Sequence, residues 1–132
     1  MLLLDTSALI ALERELADRK VGPVRACLGR SKEEELACST VTVGELASGG
    51  SELAIRVLLR RLRKIPLSEI IAFRAGELDK KQMRRGQRLG ENDNWIAATA
   101  LHYSATLVYV DGDFDRIEGI KRMRVPDAGS GR

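Results

Sequence analysis

Aromatic residues are scarce in this sequence: one Trp, two Tyr and two Phe make up 4% of the chain. That scarcity argues against the nucleic-acid modules that stack bases on aromatic platforms, and it leaves the core to aliphatic side chains. Cysteine is nearly absent as well. Cys27 and Cys38 have neither metal-ligand spacing nor the pattern of a disulfide framework, so a reducing cytoplasm is the expected compartment. No apolar run is long enough to span a membrane. The opening Leu2-Leu3-Leu4 lacks a basic flank and stops at Asp5, too early for a signal peptide. A glycine-rich phosphate loop, an internal repeat and a domain boundary are all missing. The single histidine, His102, comes late in a helical stretch without partners and is read as structural.

What is present fits a globular α/β chain. The 132 residues suffice for one domain with a sizeable core, and the 44% hydrophobic content supports a folded one. Net charge is +3, which permits an anionic partner without demanding one. We expect a single domain over residues 1–127 and a flexible Gly/Ser tail at 128–132.

Leu2-Leu3-Leu4 reads as a buried strand that runs straight into a helix, with Thr6 or Ser7 as cap and Leu9, Leu12 and Leu16 recurring at i, i+3 and i+7. Asp5 therefore stands at a strand's carboxyl end, the edge at which parallel α/β sheets bind ligands. Its structural reading is an acidic residue favoured by a helix dipole. Gly22-Pro23 marks a turn before a short helix over Val24–Gly29. Leu36–Ser39 reads as a second strand, capped into a helix that carries Val43, Glu45, Leu46 and Ala47. Taken alone, a Glu one turn into a helix is ordinary.

Ser51–Lys64 reads as one amphipathic helix with solvated arginines, followed by an edge strand at Ile65-Pro66-Leu67. A long helix opens at Ser68-Glu69, and its basic end, Arg84 and Arg85 with Arg88 beyond, leads into Glu91–Leu101. In that stretch Asn92 is the expected N-cap. Counting from Asp93, positions i+3, i+4 and i+7 are Ile96, Ala97 and Ala100, so the carboxylate lies on the apolar, inward face. An inward charge is costly unless capped, paired or bound to metal. Thr106–Val110 is a fourth strand and it too ends in a carboxylate, Asp111, followed by Asp113 and Asp115; Arg124-Val125 is a fifth, edge strand. Alternating strands and helices give a parallel sheet of four to five strands flanked by helices.

Asp5 and Asp111 at strand ends, and Glu45 and Asp93 at helix starts, can thus meet at one sheet edge. Four such carboxylates repel one another, and a hard divalent cation relieves the repulsion. Oxygen ligands without His or Cys select Mg²⁺ or Mn²⁺ over zinc. Two ions about 3.5–4 Å apart can activate water and stabilise the leaving oxygen in phosphodiester hydrolysis.

Taken together, LLLDTSALIAL, TVTVGEL, LGENDNWIAATAL and LVYVDGDFDRIEGIKRM resemble a PIN domain, most closely the VapC-type toxins of toxin–antitoxin pairs. The resemblance runs nearly end to end and implies a Mg²⁺- or Mn²⁺-dependent endoribonuclease acting on RNA. In it Asp5, Glu45, Asp93 and Asp111 match the acidic quartet, Asp113 a further acidic position, and Thr6 and Ser7 the hydroxyl residues that orient the first aspartate. It also implies a VapB-type antitoxin whose C-terminal segment wraps a groove. One departure is Tyr109, where the family usually has Thr or Ser; it bears on how Asp111 is held, and so on rate more than reaction class. A dehalogenase-type phosphatase needs a second Asp two residues after the first, where this chain has Ser7, and a receiver domain needs an acidic pair that is missing. The remaining alternative is a non-catalytic RNA- or protein-binding module on the same fold. Arg84, Arg85, Arg88 and Arg14 are candidates for RNA phosphates, Trp95 for packing or a dimer face, and the leucine-rich helices lead us to expect a homodimer.

Overall fold

The computed structural model describes residues 1–127; the expected flexible tail at 128–132 lies outside the described residues. Five strands, β1 (Leu2–Leu4), β2 (Leu36–Ser39), β3 (Arg63–Ile65), β4 (Thr106–Tyr109) and β5 (Lys121–Arg124), form one sheet in the order β3-β2-β1-β4-β5. Every pairing is parallel. Six helices flank it: α1 (Thr6–Ala17), α2 (Pro23–Arg30), α3 (Thr40–Ala47), α4 (Glu52–Leu58), α5 (Glu69–Arg84) and α6 (Glu91–Tyr103). Among the described residues, no helix is long and apolar enough to cross a membrane.

The period-two rule explains how three leucines serve two cores. Leu3 faces one side of the sheet, where it joins Ile71, Ala75, Leu78, Ile96, Ala97 and Ala100 from α5 and α6. Leu2 and Leu4 face the other side, among Leu9, Leu12, Val24 and Cys27 from α1 and α2 and Ile55 from α4. A strand buried on both faces reads as an unbroken apolar run, as β1 does.

The chain leaves β1 toward β2 and β3 on one side, then crosses back to place β4 on the other. This makes the β1–β4 seam the topological switch point, where the connecting loops diverge and a crevice opens at the strands' carboxyl ends. Leu4 pairs in register with Val108, so Asp5 and Asp111 leave neighbouring strands at that crevice.

Three expectations need correction. The helix expected over Ser51–Lys64 ends at Leu58, and its last residues turn into β3, which precedes Pro66. Leu59, Leu62 and Ile65 are all buried, and their spacing of three suits a helix as well as a turn followed by an edge strand. Pairing of Ala37 with Arg63 and Ser39 with Ile65 decided between them. Leu16, counted on the apolar stripe of α1, is 47% exposed. The fifth strand starts earlier than Arg124-Val125, at Lys121, although the Val125 N–H still donates to the Tyr109 carbonyl at 2.7 Å.

Candidate active site

Asp5 is itself the N-cap of α1, the role expected of Thr6 or Ser7: its Oδ1 accepts from the Ala8 N–H at 2.8 Å. A strand that feeds directly into a helix leaves the last extended residue in capping position, which is why the strand-end carboxylate and the cap coincide. The residue is buried. The Ser7 hydroxyl lies 2.8 and 2.9 Å from the two Asp5 carboxylate oxygens and shares its single proton between them. Its lone pairs accept from the N–H groups of Val110 and Asp111, at 3.0 and 3.2 Å. Ser7 therefore ties the end of β4 to Asp5, and Asp5 Oδ2 is left with a share of one proton.

Thr6 reaches across to α3. Its Oγ1 is 2.6 Å from Glu45 Oε1 and 3.2 Å from Thr42 Oγ1. With one proton to give, Thr6 donates to the carboxylate while Thr42 supplies the other proton. The fully buried Thr42 is a member that sequence reasoning missed. Its only sequence signal was a hydroxyl one helical turn before Glu45.

Asp93 lies in the first turn of α6, whose N-cap is Gly90 rather than Asn92 and has no side-chain cap bond. That turn is anchored to α5 by Asn94, whose Nδ2 donates to the Ala75 carbonyl at 2.8 Å. Ile96 to Ala100 behind it are buried, and the small alanines let α6 press on its neighbours.

Asp5 and Asp93 are each perturbed by burial and by neighbouring carboxylates. Burial pushes the Asp5 carboxyl up from 3.8 to about 6, against the bonds from Ala8 and Ser7 that lower it; the charges of Asp93 and Asp111 add to the rise. Asp93 is also raised, first by burial and then by Asp113, Glu45 and Asp111. Asp5 thus feels the charges of Asp93 and Asp111, and Asp93 those of Asp113, Glu45 and Asp111. Among the described residues, no ion pair involves Asp5, Glu45, Asp93 or Asp111.

An oxygen-only set with no cationic partner and an undersatisfied Asp5 Oδ2 has the donor chemistry of a hard divalent cation site. Among the described residues, no group of three or more His, Cys, Asp or Glu side chains stands where it could already hold a metal ion. The fit is one of donor chemistry and uncompensated charge.

The basic candidates separate. Arg88 binds Asp79 through Nε and Nη2, at 2.8 and 2.9 Å, and Arg85 pairs with Glu118 at 2.7 Å. Arg14 and Arg84 are exposed, with no ion pair among the described residues. His102 accepts from Arg74 Nε at 3.2 Å and packs edge-on against Tyr103, away from the carboxylates, as a structural residue does. Half-buried Trp95 packs against the core beside α5. Tyr109 directs its hydroxyl to Asp115 Oδ1 at 2.6 Å rather than to Asp111. Burial, with that hydrogen bond, pushes its phenol up to about 12, so it remains a donor at neutral pH.

Residues 2–120 match the family model described as PIN domain. The chain is 38% identical over 104 residues to Ribonuclease VapC10 of Mycobacterium tuberculosis (strain ATCC 25618 / H37Rv), across 76% of this chain and 74% of that protein. Among solved structures, it superposes on VapBC-1 from nontypeable Haemophilus influenzae with a TM-score of 0.76 at 26% identity, covering 93% of this chain and 96% of that one. VapBC2 from Rickettsia felis, solved bound to a DNA fragment from its promoter, gives a TM-score of 0.77 at 24% identity over 93% of this chain and 97% of that one. The second likeness is one of fold alone.

Proposed function

This chain belongs to the PIN-domain family, and from that membership we propose that it is a divalent-metal-dependent endoribonuclease, the toxin of a VapBC-type toxin–antitoxin pair. The observation that carries the chemistry is the set of carboxylates without an ion-pair partner at the β1–β4 switch point, where burial first and neighbouring charges second raise the proton affinity of Asp5 and Asp93. Asp5, Glu45, Asp93 and Asp111 would hold Mg²⁺ or Mn²⁺, with Asp113 in support. Once bound, the ion would supply Lewis-acid chemistry for hydrolysis of an RNA phosphodiester.

The chain's own residues do the positioning. Ser7 holds the Asp5 carboxylate and the β4 end at a fixed spacing, and Thr6 holds Glu45. Buried Ile96 and Ala97 keep the first turn of α6, and so Asp93, from swinging outward. Exposed Arg14 and Arg84 are free to meet RNA phosphates, whereas Arg85 and Arg88 would first have to leave Glu118 and Asp79. Intact carboxylates at all four positions weigh against a non-catalytic binding module.

A partner surface supports the toxin reading. Leu12, Leu16, Leu28, Val57 and Leu62, together with Arg25, Arg60 and Arg61, line a largely apolar groove of about 440 Å³. Such a groove suits an amphipathic segment of an antitoxin. Exposed Ile70 and Phe73, one turn apart on α5, suit a homodimer contact.

The test is cleavage of structured RNA by the purified protein. Activity should disappear in EDTA, return with Mg²⁺ or Mn²⁺, and be missing from folded Asp5→Asn. Cleavage that persists in EDTA, or in Asp5→Asn, would refute the proposal.

A further inference from the structure

Tyr109, Asp115 and Arg124 form a connected set around the turn that follows β4. The Tyr109 ring is buried and packs edge-on against Phe114, with ring centroids 5.5 Å apart. Its hydroxyl donates to one Asp115 oxygen at 2.6 Å, while Arg124 Nη1, on β5, donates to the other at 2.5 Å. Arg122, also on β5, donates to the carbonyls of Phe114 and Asp115. The Arg124 guanidinium rests on the backbone of Gly112, where a Cβ would meet its Nη2 at 3.1 Å and its Cζ at 3.3 Å. Gly112 is the residue between Asp111 and Asp113.

The turn, a 3-10 segment over Gly112–Arg116, begins at Asp111 without a side-chain cap bond. Five residues of 3-10 geometry do not hold themselves in place. Ser7 restrains this segment only at the Val110 and Asp111 N–H groups. Beyond them, the segment is held by buried Phe114, by Arg122 on the Phe114 and Asp115 carbonyls, by the charge-assisted bonds to Asp115 and by the guanidinium seated on Gly112.

We propose that Tyr109, Asp115 and Arg124 are positioning residues of this site: by clamping the Gly112–Arg116 turn onto β5, they set where Asp111 and Asp113 stand relative to Asp5 and Asp93. The proposal rests on the nuclease reading above. It gives Tyr109 a role at a place where the wider family usually carries a small hydroxyl residue, with the orienting force coming from β5.

The experiment titrates metal-free wild type, Tyr109→Phe, Arg124→Met and Arg124→Lys with Mn²⁺, reading free Mn²⁺ by electron paramagnetic resonance. It also measures kcat and KM for RNA cleavage at low and at saturating Mn²⁺, with urea unfolding of each variant alongside. Tyr109→Phe keeps the packed ring and removes only the hydroxyl. We expect its Mn²⁺ dissociation constant, and that of Arg124→Met, to rise severalfold, less than the roughly tenfold or more that losing a direct partner of a ligand costs, because Asp115 is one step removed from Asp111 and Asp113. Cleavage should fall at low Mn²⁺ and recover at saturation with KM for RNA unchanged, and Arg124→Lys should regain part of the affinity. If Tyr109→Phe and Arg124→Met bind Mn²⁺ like wild type while Asp5→Asn is inactive, the clamp is refuted and the site stands. If Asp5→Asn also cleaves, the nuclease reading itself fails.

Discussion

Replacing Asp5 with asparagine removes a buried charge from a site that has no cation to balance it, so the metal-free protein should become more stable. Asp5 is raised from 3.8 to about 6 by burial first and by Asp93 and Asp111 second. At about 1.4 kcal/mol per pH unit, that gap corresponds to an unfavourable contribution of about 3 kcal/mol at neutral pH. Asparagine still accepts from the Ala8 N–H and so keeps the helix cap, but its amide also loses hydration on burial. A net gain of about 1–2 kcal/mol remains. The sign has a definite pH signature. Below 3.8 the proton is bound in the folded and unfolded chain alike, so the charge contributes nothing. As pH rises toward about 6, the unfolded chain releases a proton that the folded one retains, and wild type loses stability. Above that the loss is complete and flat. Urea unfolding of both proteins in EDTA, followed by circular dichroism at pH 4, 5, 6 and 7, should show the difference opening across this window. With Mn²⁺ at roughly a hundredfold excess over its dissociation constant, wild type should gain about 2.7 kcal/mol and the order should reverse. A variant less stable than wild type in EDTA at pH 7, or a difference that ignores pH, would refute the account of Asp5 as an uncompensated ligand.

Two further outcomes follow from the same structure. Glu15, buried in α1, accepts from the N–H groups of Val24 and Arg25, each at 2.9 Å, and so caps α2 where Gly22 has no side chain to do so. Glu15→Ala should cost about 1–3 kcal/mol in urea unfolding by leaving both donors unmet. Its RNA cleavage should stay at the wild-type level, since Glu15 lies about 15 Å along α1 from Asp5; reduced cleavage by the folded variant would contradict this. On α5, Phe73 is 68% exposed beside exposed Ile70. Light scattering at tens of micromolar (roughly; standard interfaces span μM to pM) should report a dimer for wild type and a monomer for Phe73→Asp, and a monomeric wild type would remove the dimer contact from the picture.

Local chemistry was enough to place the carboxylates on their elements. An apolar triplet ending before Asp5, and a five-residue run, Thr106–Val110, ending before Asp111, carry strand and edge in their composition, because a doubly buried strand must be apolar and stop where charge begins. Helical spacing put Asp93 on the inward face, and the structure keeps it half-buried, within the electrostatic influence of Asp113 and Glu45. Period alone could not end α4 at Leu58: Leu59, Leu62 and Ile65 satisfy a helix and a turn-plus-strand equally, and only pairing with β2 separated them. Nor could it identify Asp5 as the cap over Thr6, since both have capping oxygens and the backbone's last extended residue decides. The strand order β3-β2-β1-β4-β5 is likewise non-local, and it alone makes neighbours of Asp5 and Asp111. Partners distant in sequence, Thr42 with Thr6, Ser7 with Val110, Arg124 with Asp115, have no spacing to announce them. Sequence thus determined which residues carry charge at the ends of buried elements, because burial leaves a local pattern. The fold decided which of those ends share one crevice and what holds them there, because only packing brings distant chain segments together.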